Sequence, residues 1–136
     1  MDALKSIAAI AASGLRAQSE RLRVVSENVA NASSTAQTPG GEPYQRKVIS
    51  FGAKPLGDTG ASIVTVSGIG RDTSPFQLEY DPAHPAADAN GYVKLPNVNP
   101  VIEMSNMREA ARSYEANMNM LESARKMQNQ LIDLLK

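Results

Sequence analysis

Apolar residues near the start of the chain recur with a helical rhythm. Leu4, Ala8, Ala11, Leu15, Gln18, Leu22, Val25 and Val29 follow one another at alternating intervals of four and three, and all but Gln18 are apolar. That spacing is a heptad seam along one helix face, and it predicts a helix from about Ala3 to Asn31. A neighbouring row, Arg16, Glu20, Arg23 and Glu27, alternates in sign at the distance of helical neighbours. No proline interrupts the run. Gly14 costs a helix interior about 1 kcal/mol relative to Ala; it reads first as a tolerated glycine, with a flexible point or a close contact as the alternatives.

A second helical pattern closes the chain. Asn99 suits an N-cap, and Pro100 suits the first helical position because its missing N–H has no helical partner there. Glu103 adds a favourable charge in the first turn. A seam follows through Met104, Met107, Ala111, Tyr114, Met118 and Leu121, slips by one residue to Ala124, and continues through Gln128, Leu131 and Leu135. Glu109, Glu115 and Glu122, like Glu103, read as solvated helix faces.

Between these patterns the chain changes character. Residues 32–99 hold seven of the eight prolines and eight of the nine glycines, a density that rules out long helices. Tyr44 to Phe51, Ala61 to Ile69 and Phe76 to Tyr80 are rich in β-branched and aromatic residues or alternate apolar with polar, and they predict three short strands. Residues 33–42 and 81–90 read as mobile loops. The expected fold is mainly α with a small β-rich insert. Residues 1–31 and 100–136 form a terminal helical domain, pairing as a coiled-coil-like unit, and 32–99 a β- and loop-rich middle segment.

Composition narrows the chemistry. Fourteen basic and 14 acidic residues balance to a net charge of zero, which gives no electrostatic reason to expect nucleic acid or a membrane surface. The absence of Cys removes disulfides, thiolate metal sites and a thiol nucleophile. The apolar run from Ile7 to Ala12 is too short to span a membrane and continues into the helical pattern, so the start reads as helix and not as a cleaved leader. With no Trp and only two Phe, large core-filling side chains are scarce. Two thin seams on helices of roughly 30 residues are marginal alone. The termini are therefore expected to order fully only when other subunits cover them.

The residues that invite a chemical reading are weak candidates. His84 is the only histidine, and with Asp81 and Asp88 it makes a poor metal set. Asp88 to Gly91 lacks the ligand ladder and closing Glu of a calcium loop. Gly40-Gly41 lacks the Lys and Ser/Thr of a phosphate loop. Asn28 and Asn31 read either as polar and capping residues or as a specific contact between subunits or at a hinge. No catalytic residue, cofactor, metal or small-molecule substrate is expected. A helical adaptor that binds partners without polymerising stays open on these grounds.

Four segments carry a resemblance. They are SENVANAS (Ser26 to Ser33), PGGEPYQRKVISF (Pro39 to Phe51), YDPAHPAADANGYVKLPNVNPVIEM (Tyr80 to Met104) and AARSYEANMNML (Ala110 to Leu121). In this order the chain resembles the bacterial flagellar axial proteins, and among them the subunits of the proximal rod, over essentially its whole length. The element Asn28, Val29, Ala30, Asn31 is shared widely in that family, whereas the stretch from His84 to Pro100 and Tyr114, Glu115, Ala116, Asn117 point to one branch. Many members carry a TxGY-like turn soon after the first element. Here Thr38-Pro39-Gly40-Gly41 stands in its place and Tyr44 follows later, a departure typical of that branch.

The resemblance implies a structural protein, exported through the flagellar type III apparatus without a cleaved signal, that builds the periplasm-spanning rod of the basal body. It implies that both seams form subunit interfaces. The implied partners are copies of itself, other rod proteins, the inner-membrane ring and the export apparatus.

Overall fold

The computed structural model describes residues 2–136. Along the chain two long helices flank four strands, in the order α1 (Asp2–Ala30), β1 (Lys47–Pro55), β2 (Ser62–Arg71), β3 (Gln77–Tyr80), β4 (Tyr92–Leu95) and α2 (Pro100–Leu134). β1 pairs with β2 and β3 with β4, each as a two-stranded sheet. The helix–insert–helix plan is the expected one.

The helix ends follow from local chemistry. α1 stops where the Asn31 side chain donates to the Glu27 carbonyl at 2.8 Å and accepts from the Ser34 hydroxyl at 3.0 Å, drawing the chain into a turn. α2 starts as predicted. The Asn99 Oδ1 accepts from the Val101 N–H at 3.1 Å and the Ile102 N–H at 3.4 Å, capping donors that have no helical partner.

Three elements differ from the sequence reading. The first strand, expected over Tyr44 to Phe51, runs from Lys47 to Pro55. Tyr92–Leu95 is a strand, antiparallel to β3, with Leu78 opposite Lys94 and Tyr80 opposite Tyr92. Residues 81–91 are tied down by their own backbone. The Asp81 N–H donates to Gly91 O, Asp88 N–H to Tyr92 O and Gly91 N–H to Asp88 O, at 2.9–3.0 Å. The Asp88 carboxylate also accepts from the Asn90 and Tyr92 N–H groups. Gly91 sits at φ 87°, and a Cβ there would meet the Tyr80 ring at 2.8 Å, so only glycine fits this turn.

The chain divides into two compact units. The first comprises Met1–Leu22, Ile49–Gly68 and Arg108–Lys136, and the second Arg23–Val48 and Ile69–Met107. In the first unit Ala11, Ala17, Ala110, Leu121 and Ala124 are buried. Arg21 reaches Glu109 at 3.3 Å, and seven residues earlier Gly14 faces Asn117, eight residues further along α2, so the helices run antiparallel here. In the second unit Val24, Val25, Ala86 and Val93 are buried together with Asn28 and Glu103.

The buried stripe of α2 does not follow the predicted seam at its start. Glu103 and Ala110 are buried, whereas Met104 and Ala111, one residue on, are exposed. The Glu103 carboxylate has hydrogen-bond partners on other segments, Asn28 and Arg46, whereas Met104 has no polar group that burial would need to satisfy.

Candidate functional site

Asn28, on the last full turn of α1, is 1% exposed and has all its side-chain capacity filled within the second unit. Its Oδ1 accepts from the Tyr44 hydroxyl at 2.7 Å and the Lys47 N–H at 2.9 Å. Its Nδ2 donates to the Lys47 carbonyl at 2.9 Å and the Glu103 carboxylate at 3.3 Å. The amide thus grips both peptide groups of Lys47, as a neighbouring strand residue would.

Glu103 is also 1% exposed. Its second carboxylate oxygen accepts from Arg46 Nε. Arg46 reaches Asp72 at 3.1 Å through its other guanidinium arm. Burial alone would lower the Arg46 guanidinium, but the Glu103 and Asp72 carboxylates outweigh it and raise it, so the group stays charged. The Asp72 carboxyl lies below its usual value, first because the Ser74 hydroxyl and N–H donate to it, and then because of Arg46. The Glu27 carboxyl is likewise lowered, mainly by a 2.7 Å bond from Lys47. Burial pushes the Tyr44 phenol up. Asn97 completes the cluster, accepting from the Arg46 N–H at 2.8 Å and donating to the Asp72 and Ser74 carbonyls.

Sequence reasoning placed Glu103 on a solvated face, and the structure corrects this. A buried carboxylate needs a paired cation and hydrogen bonds to persist, and Arg46 and Asn28 supply them. Nothing local marked Arg46, Asp72 and Asn97 as a cluster, because the bonds that join them to one another and to Glu103 span 25 to 57 residues.

The seam residues fall into three groups. Ala11, Val25 and Leu121 are buried; Leu4, Ala8, Leu15, Leu22, Val29, Met107, Tyr114 and Met118 are half-buried; Met104, Ala111, Leu131 and Leu135 are exposed. Among the family-element residues, Ala30, Glu115 and Ala116 are exposed, and Asn31 and Asn117 are half-buried. Asn117 donates to the Ser113 carbonyl at 2.8 Å and fills the space that a side chain at position 14 would need. A Cβ on Gly14 would stand 2.5 Å from Asn117 Oδ1. Gly14 is therefore a close-contact glycine, not a merely tolerated one.

Large apolar side chains crowd the open faces of α2. In the second unit these are Val101, Ile102 and Met104. In the first they are Met120, Met127, Leu131, Ile132, Leu134 and Leu135, the last two 80% and 82% exposed. Shallow apolar grooves lie in the same unit, one lined by Ile7, Ile10, Ala11, Ala116, Asn117 and Met120. Among the described residues no group of three His, Asp or Glu side chains is placed to hold a metal ion. His84 instead accepts from the Ala86 N–H through Nδ1. No described helix is long and apolar enough to cross a membrane.

Both terminal helices carry exposed large apolar side chains, and the chain's similarity to known proteins gives its class. The family Flagella basal body rod protein matches residues 9–36, and Flagellar basal body rod FlgEFG protein C-terminal matches residues 89–134. The chain is 52% identical to the flagellar basal-body rod protein FlgC of Agrobacterium fabrum, over 100% of this chain and 98% of the relative. It is 43% identical to that of Salmonella typhimurium, over 92% of each chain, and 40% identical to that of Borreliella burgdorferi, over 93% and 94%. The chain belongs to the FlgC family of flagellar basal-body rod proteins. It is a structural subunit of the rod and not an enzyme.

Proposed function

We propose that this subunit polymerises into the proximal rod through the faces of α1 and α2 that the single chain leaves open. The terminal segments, residues 1–31 and 100–136, pair as a coiled-coil-like unit that lines the export channel, and residues 32–99 lie further out. The observation that carries this reading is the run of exposed leucines and isoleucine at the end of α2 and just past it, Leu131, Ile132, Leu134 and Leu135. Exposed apolar patches of this kind mark surfaces that another protein covers. Met104, Met107, Met118 and Met120 suit contacts with non-identical neighbours, since methionine adapts its shape.

Contacts between unlike surfaces that do not close on themselves give a helical array. In such an array the subunit meets its own copies, other rod proteins and the inner-membrane ring, and it transmits torque across the periplasm. It reaches the rod through the type III export apparatus, which a chain without disulfides suits, and its termini order fully on incorporation.

Complementing a deletion strain tests this. Leu134→Asp with Leu135→Asp alters two exposed side chains and leaves the buried stripe untouched. Normal expression with no completed rod in purified basal bodies and no swimming is expected. Normal rods in that strain would refute the proposed packing. Replacing Leu22 or Leu121 with a charged residue should block rod completion as well.

A further inference from the structure

The turn aligns β1 with β2, the Leu56 N–H donating to the Ala61 carbonyl at 2.9 Å, but the strands' side chains carry little information about which residue of β1 meets α1. Most of their side chains are exposed, and Gly52, Gly68 and Gly70 interrupt them. A strand's register is normally fixed by the face it buries, and a slip of one residue moves every side chain to the opposite face. Where the apolar pattern is weak, something else has to fix the alignment. At the start of β1 that something is visible. Asn28 holds the Lys47 N–H and the Lys47 carbonyl together, a pairing that one residue of the strand satisfies at a time. The neighbouring Arg46 then points its guanidinium at Glu103 and Asp72, and a one-residue slip would carry it to the other face.

We infer that Asn28 is a register pin. Its amide selects Lys47 as the residue of β1 that meets the end of α1, and Glu103 with Arg46 checks the choice. Buried polar groups of this kind give up some stability for a single alignment. The Asn28 amide does the selecting, because its donor and acceptor have to match a donor and acceptor on one residue. The Glu103 charge serves the check on Arg46. This inference concerns the fold of one chain and stands apart from the proposed assembly.

Amide-resolved exchange and spectra of the purified full chain test it. In the unaltered protein the Lys47 amide exchanges at least tenfold slower than in an unstructured peptide, and the β1 amides give one set of signals. Asn28→Ala removes the pin. The β1 and β2 signals then split or broaden while the helices persist, and the Lys47 amide loses its protection. Glu103→Gln keeps the shape and the bond from Asn28, and a single set of signals remains. Arg21→Ala, in the other unit, changes none of these readouts. The inference is overturned if Asn28→Ala keeps one sharp set of β1 signals. It is equally overturned if that variant unfolds outright, since the residue would then serve stability and not alignment, or if the Lys47 amide of the unaltered chain is unprotected.

Discussion

In the first unit the buried residues are almost all small: Ala11, Ser13, Gly14, Ala17, Ala110 and Ala124, with Leu121 the one large aliphatic among them. In the second, Val24, Val25 and Val93 are buried beside a carboxylate and an amide, Glu103 and Asn28. The first unit lets backbones approach closely, as at Gly14 and Asn117, and gains a modest amount per contact. The second fastens loops and strands that have little apolar surface to bury, and it does so with directional bonds. An alanine-lined helix pair can tolerate imperfect contacts. A buried charge network cannot, because an orphaned charge in a low dielectric is costly.

The largest expected effect breaks the second unit. Arg46→Ala leaves the Glu103 carboxylate buried without its cation, and the loss should be about 3–5 kcal/mol, read from urea denaturation. A loss below about 1 kcal/mol would mean that the network is not under load.

Acidification probes the same unit. Asp72 and Glu27 both titrate below their ordinary values in the folded chain, so the unfolded chain binds those protons more readily. Their stabilisation is complete above the ordinary carboxylate range and is lost as pH falls through the folded values. The second unit should melt at lower temperature as pH drops below about 4, and Asp72→Asn should flatten that dependence.

A smaller effect sharpens the view of the first unit. Gly14→Ala should cost about 1 kcal/mol despite the better helix former, because the new Cβ meets Asn117. Adding Asn117→Ala should recover the loss in full, which thermal melting of both variants will show. The smallest effect is expected at Arg21. Its partner Glu109 is 69% exposed, so Arg21→Ala should change stability by about 0.5 kcal/mol or less.

Both helices, their boundaries within one or two residues, the cap at Asn99 and the first three strands were legible along the chain. Periodicity and capping are local, and three or four neighbouring residues suffice to express them. Tyr92–Leu95 also alternates, but four residues beside a proline-rich loop give a faint signal, and the strand needs β3 opposite it to exist. Glu103 was read as solvated because nothing local marks a glutamate for burial, while Met104, on the expected seam, is exposed in the single chain.

The sequence by itself determined the helical ends, the punctuated middle and, through whole-length similarity, membership of the rod-protein family. Only the tertiary structure decided which polar residues are interior. Asn28 and Glu103 are buried and Arg46 and Asp72 half-buried, yet nothing local distinguishes a solvated carboxylate from a buried one. Burial becomes favourable when partners from distant parts of the chain arrive at hydrogen-bond distance, and that is a property of the folded arrangement alone.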